Sequence, residues 1–150
     1  MTMITLFLIA AVATSTQASQ TPTITAAPEI KVERMTLPDM PGVVIDPSCG
    51  GRTFIASIAT CVASTQDGLQ AVADRYTTAF EGQGWLQAYG TDNRMIFIKR
   101  REGGGCDGFQ VQAFTDDTVP AGPDVPAYIA FATIPGDVCS DPDASGAAPQ

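Results

Sequence analysis

The sequence contains no histidine. That excludes Ser-His-Asp and Cys-His nucleophile systems, His-ligated zinc and pH sensing through an imidazole. Basic residues are scarce, with 8 Lys and Arg against 16 Asp and Glu for a net charge of −8, so the clustered positive charge that binds phosphate backbones is lacking. The reading is therefore no nucleic acid. Glutamate is limited to Glu29, Glu33, Glu81 and Glu102, and tryptophan to Trp85. No apolar run approaches the roughly 20 residues needed to cross a bilayer, so no membrane span is expected in the mature chain. Proline is absent from positions 48–119, while all 11 prolines lie in the flanks. Because proline removes a backbone donor and fixes φ, that window is where hydrogen-bonded helix and sheet run uninterrupted.

What is present begins with a leader. Residues 1–19 carry no charged side chain, and positions 4–13 are apolar apart from Thr5, followed by small residues ending in Thr16-Gln17-Ala18. This layout is that of a secretory signal peptide, assigned to residues 1–18, and places the mature chain in the periplasm or outside the cell. Four cysteines fit an oxidising compartment, because an even count in a small exported chain reads as a disulfide framework. Gaps of 11, 44 and 32 residues separate Cys49, Cys61, Cys106 and Cys139, whereas a zinc site brings its cysteines in close pairs.

The rest of the chain divides into a Pro-rich N-terminal segment at 19–47, one globular domain at 48–139 and a small, polar, disordered tail at 140–150. Within the N-terminal segment, Ile30, Val32, Met35 and Leu37 suggest a short edge strand. Leu69, Val72, Tyr76 and Phe80 recur at steps of 3, 4 and 4, drawing one apolar stripe along a helix from about Thr65 to Gly82. Ser64 or Thr65 is the expected N-cap, and Gly82 or Gly84 the left-handed stop. Residues 53–63 satisfy both a helical period and strand composition.

Beyond the helix the period becomes two. Residues 85–89 and 94–101 flank the turn formers Gly90-Thr91-Asp92-Asn93 and read as a hairpin. Phe109, Val111 and Ala113 alternate with Gln110 and Gln112 in a third strand, and residues 127–134 form a fourth, with Ile129 and Phe131 on one face and Tyr128 on the other. The fold class is α+β: one or two helices packed on a three- to four-stranded antiparallel sheet, with two disulfides. Across a loop centred near residue 121, Cys106 and Cys139 fall nearly opposite one another, which pairs them and leaves Cys49 with Cys61.

The strand at 94–101 is apolar on both sides, with Ile96 and Ile98 on one and Met95 and Phe97 on the other, so both sides need cover. Pairing across the four-residue turn sets Tyr89 beside Arg94 and Trp85 beside Ile98, making Trp85, Tyr89, Arg94, Ile96 and Ile98 the candidate binding residues. The basic run Lys99-Arg100-Arg101 alternates sides along a strand and reads as a solvated strand end, and Gly103-Gly104-Gly105 reads as an inter-strand loop. The acidic loop at 116–124 matches no calcium-loop spacing. No catalytic residue, metal or cofactor is assigned. The functional expectation is a small exported, non-catalytic binding or structural module that meets a protein partner through an apolar sheet face. The alternatives are a secreted inhibitor or immunity-type protein, and a hydrolase working with carboxylates alone.

Overall fold

The structure, a computed structural model, describes residues 33–139. The assigned leader, Ile30, Val32 and the tail at 140–150 lie outside the described residues. Eight elements follow in order: β1 (Val44–Ile45), α1 (Thr53–Ile58), β2 (Thr60–Thr65), α2 (Leu69–Gly82), β3 (Leu86–Gly90), β4 (Arg94–Arg100), β5 (Cys106–Thr115) and β6 (Pro126–Ile134). The six strands form one antiparallel sheet in the order β1-β2-β6-β5-β4-β3. The α+β class stands, but the sheet has six strands where the sequence suggested three or four. The two additional strands are β1 and β2, whose pairings reach beyond the local pattern: β2 is hydrogen-bonded to β6, so that Thr60 faces Phe131.

Residues 53–63 hold both of the structures their composition allows, a short helix and then a strand. The pairing of β2 with β6 extends to Thr65 opposite Pro126. The chain therefore turns before helix α2 can begin, and Gly68, not Ser64 or Thr65, occupies the N-cap. The apolar stripe of α2 does what its spacing implies, with Val72, Tyr76 and Phe80 buried and Leu69 half-buried against them.

The C-terminus of α2 decides where tryptophan goes. Gly84 adopts φ +85°, the Trp85 amide donates to the Phe80 carbonyl at 3.0 Å, and the Gly84 amide donates to the Glu81 carbonyl at 2.9 Å. These two bonds form a Schellman closure, which brings the residue after the glycine back over the last buried helix position. Trp85 is thereby turned into the core, edge-on to Phe109 with ring centroids 4.8 Å apart.

One core cluster lies between α2 and the sheet, built from Phe80, Trp85, Phe97, Phe109, Ile129 and Phe131 among others. Met35, Leu37, Met40 and Val43 pack against it from the N-terminal side. Met35 and Leu37 do not form the suggested edge strand. Their segment is tied to the helix end by Gln83, whose side-chain amide both accepts from the Thr36 amide and donates to the Thr36 carbonyl. A second cluster lies on the opposite face, where the Cys49–Cys61 disulfide packs with Ala130, Ile55, Ala56, Ala59 and Phe114. The other disulfide joins Cys106 to Cys139. Both pairings are those deduced from the hairpin register, and β5–β6 has its centre at the expected place, with Gly108 facing Ile134 and Thr115 facing Ala127.

The loop that carries Cys49 is fastened to Asp46. Its carboxylate accepts from the Ser48 hydroxyl at 2.6 Å, the Ser48 amide at 2.9 Å and the Gly50 amide at 2.7 Å. Chiefly through the Ser48 hydroxyl, then the Gly50 and Ser48 amides, these bonds hold the Asp46 carboxyl below its ordinary pKa. A carboxyl with a depressed pKa in the folded state contributes fully above the unfolded value and loses that contribution as pH falls through the folded value. The melting temperature should therefore fall below about pH 4, and the difference between wild type and Asp46→Asn should shrink as pH drops from 7 to about 2.5. Thermal scans across that range check this.

Gly50 is needed twice over in the same loop. Its φ is +64°, and a Cβ there would stand 2.7 Å from the Tyr128 ring, which stacks on Phe114. Gly50→Ala should cost about 1–3 kcal/mol in chemical denaturation.

Candidate functional site

The two faces of the sheet are covered unequally. On one face, α2 lies over Phe97, Phe109, Ile129 and Phe131. On the other, α1 and the Cys49–Cys61 bridge cover the end formed by β2 and β6, and Arg52 lies over the Phe114 ring at 4.7 Å. Ile96 and Ile98 share this second face, toward the β3 edge. Leu86 faces Ile98 and Tyr89 faces Ile96 across the β3–β4 pair, while Gln110 and Gly108 face the same two isoleucines from β5.

The structure brings four of the five sequence-derived residues together. Tyr89, Arg94, Ile96 and Ile98 share the face that α1 covers only in part. Trp85 does not join them. It is 1% exposed and belongs to the core on the α2 face. The register also differs from the expected one. Gly90 belongs to β3 and faces Met95, and the Thr91 amide donates to the Arg94 carbonyl at 2.7 Å, so the turn is tighter than the expected four residues. Tyr89 therefore lies opposite Ile96 and not Arg94, while a bulge between Gln87 and Tyr89 takes back one residue of the shift. The helix closure at Gly84 fixes Trp85 first, and the extra residue at Ala88 absorbs the offset.

Leu86 takes the place expected of Trp85. It is 56% exposed, and Tyr89 is 39% exposed. Ile96 is buried and Ile98 half-buried, so the patch has a nearly closed floor and an open rim at the sheet edge. Gln110 and Gln112 lie beside this floor and are joined by a 3.2 Å amide hydrogen bond. Sequence reasoning placed both glutamines opposite the Phe109 face but assigned them no part in the site. Their position on the Ile96 side of the third strand was the available signal.

The basic run is used for bracing. Lys99 donates to Glu33 at 2.5 Å and to the Gln83 carbonyl at 2.8 Å, placing a cation at the C-terminus of α2. Arg101 donates through Nε and Nη2 to one Asp107 oxygen at 2.9 and 2.6 Å, and the Glu33 amide donates to the other at 3.0 Å. The Asp107 carboxylate holds the Arg101 guanidinium above its ordinary pKa. Arg100 points the other way and is exposed. Lys99 and Arg101 are thus partnered, where a solvated strand end was expected. Arg101→Met would leave Asp107, 3% exposed, without its cation. The melting temperature of that variant should drop, and Arg101→Lys should restore only part of it.

Besides a small cavity of about 40 Å³ beside Asp39 and Tyr76, two larger ones open on the described surface. One, of about 920 Å³, lies between residues 34–37 and 56–60 and is lined by no carboxylate. The other, of about 300 Å³, lies under the N-terminal half of α2 beside the β3–β4 turn, with Asp92 its one carboxylate. In the acidic loop, Asp116 accepts from the Thr118 hydroxyl and then the Thr118 amide, which in that order hold its pKa below the ordinary value. Among the described residues, no group of three or more acidic or cysteine side chains is placed to hold a metal ion, and no helix is long and apolar enough to cross a membrane. Comparison with family models, curated proteins and solved structures finds no match.

Proposed function

We propose that the chain is a small exported, non-catalytic binding or structural module that meets a protein partner with the Leu86, Tyr89, Ile96 and Ile98 part of its sheet. The observation that carries this reading is the uneven cover of the α1 face. Two large apolar side chains, Leu86 and Tyr89, remain open beside a buried floor, at the end of the sheet that α1 does not reach. An aromatic and an aliphatic anchor next to Arg94, with paired amides alongside, is the composition of an interface centre with a polar rim. Two disulfides are compatible with an oxidising compartment outside the cytosol.

A carboxylate-only hydrolase has less support. Its chemistry needs two acids about 5–10 Å apart around a cleft, whereas neither of the two larger cavities has two carboxylates in its lining. The buried acid Asp107 has both oxygens engaged by Arg101 and the Glu33 amide.

The test is site-specific photo-cross-linking in cells that make the full chain, with the reactive residue placed at Leu86, at Ile98 or, as a control, at Thr118. A discrete adduct at Leu86 and Ile98, lost when Tyr89→Asp is added and absent at Thr118, supports the reading. An adduct of twice the chain mass identifies the partner as a second copy. No adduct at either position, or the same adducts at Thr118, overturns the proposal.

A further inference from the structure

The two disulfides sit in different surroundings. Cys49 and Cys61 are each 1% exposed, within the cluster under α1. Cys106 is fully buried, but its partner Cys139 is exposed. Cys139 ends a short strap that doubles back over β5. The Val138 amide donates to the Cys106 carbonyl at 3.2 Å, and Asp137 accepts from the Cys106 amide at 2.7 Å and the Cys139 amide at 3.1 Å. Arg101 donates to the Gly136 carbonyl at 2.7 Å. Val138 is buried above Gly108, where a Cβ would stand 2.8 Å from its Cγ1. Only a residue without a side chain lets the strap lie this close. Gly108 is the cross-strand neighbour of Ile98, so the strap covers the lane beside the proposed contact surface.

We propose that the strap ending at Cys139 is a redox-releasable cover, opened by dithiols through the Cys106–Cys139 bridge while Cys49–Cys61 stays closed. A dithiol thiolate attacks Sγ of Cys139, and the Cys106 thiolate leaves, giving a mixed disulfide on Cys139. The second thiol of the reductant displaces Cys139. The reductant is oxidised to its own disulfide, the bridge takes up the two electrons, and both cysteines are protonated as thiols. What remains over Gly108 is Val138, in a strap held by the Val138 amide, the Asp137 carboxylate and the Arg101 guanidinium and no longer tethered covalently. The consequence for partner contact rests on the reading given under Proposed function.

Dithiothreitol applied to the native full chain, with timed alkylation and peptide mass spectrometry, tests the release. Cys106 and Cys139 should be labelled at least about tenfold faster than Cys49 and Cys61. In the half-reduced protein, amide exchange should rise at Cys106 and Val138 and stay unchanged in α2 and β2. Gly108→Ala, with its bridge intact, should be reduced several-fold faster than wild type. Equal labelling of all four cysteines, faster labelling of Cys49 and Cys61, or loss of protection throughout α2 and β2 overturns the proposal. Photo-cross-linking at Ile98 separates the two readings. Higher yield after selective reduction supports both, whereas selective release with no adduct in either redox state removes the contact surface and leaves the strap standing.

Discussion

Phe80→Ala is expected to destabilise the protein by about 3–5 kcal/mol, a large part of what a domain of this size has. Phe80 is fully buried, and its ring centroid lies 4.8 Å from Phe109, 5.4 Å from Phe97, 5.7 Å from Phe131 and 5.8 Å from Tyr76. It is where the stripe of α2 meets strands β4, β5 and β6, and its carbonyl also accepts the Trp85 amide. Truncation removes four ring contacts and opens a cavity that the flanking rings, packed against one another, fill only partly. Phe54→Ala provides the contrast. Phe54 is 76% exposed on α1, and its loss should change stability by less than about 0.5 kcal/mol. Urea denaturation of both variants beside wild type checks the pair of expectations.

The second large effect is expected from Cys49→Ala/Cys61→Ala. The bridge spans 12 residues, for which chain entropy alone gives about 3 kcal/mol. The same change removes buried sulfur from the cluster that holds Ile55 and Ala59 of the α1 region against Ala130. Denaturant unfolding should therefore show a loss of about 3 kcal/mol or more, with amide exchange in α1 rising before exchange in α2. If α1 and α2 lose protection together, the bridge braces the whole sheet and not the helix beside it.

Much of this architecture is written in short-range pattern. The 3.6-residue recurrence from Leu69 to Phe80 identifies α2 because one face of a helix must be apolar to pack on a sheet. The alternation of Phe109, Val111 and Ala113 with the two glutamines does the same for β5, and the loop between β5 and β6 fixes the register that pairs Cys106 with Cys139. The parts that escaped depend on partners far away in sequence. β2 is a strand because β6, more than 60 residues later, hydrogen-bonds to it, and β1 is one because β2 is. The two elements between residues 53 and 65 are each only six residues long, too short for a period to separate them.

At the candidate surface, the strand Arg94–Arg100 is apolar on both sides, and the structure sets Ile96 and Ile98 together on the face away from α2. Hairpin counting misplaces Trp85 because it ignores the helix that precedes it. The left-handed Gly84 returns the chain onto Phe80, and the bulge at Ala88 then restores pairing with a different residue, Leu86, on the open face. A glycine followed by a large apolar residue after a helical stripe is the signal that would have revealed it. Met35, Leu37, Met40 and Val43 carry no regular period, so their packing on the core was invisible until the fold was known.

The proposed function requires a chain that crosses into an oxidising compartment and is cross-linked there into a scaffold for contact. Non-reduced peptide mass spectrometry of the protein recovered from the envelope fraction and the culture medium tests that most directly. Cys49 linked to Cys61 and Cys106 linked to Cys139, on a chain cut after Ala13 or Ala18, is the expected finding. Four free thiols on a full-length chain held in the cytosol would contradict it.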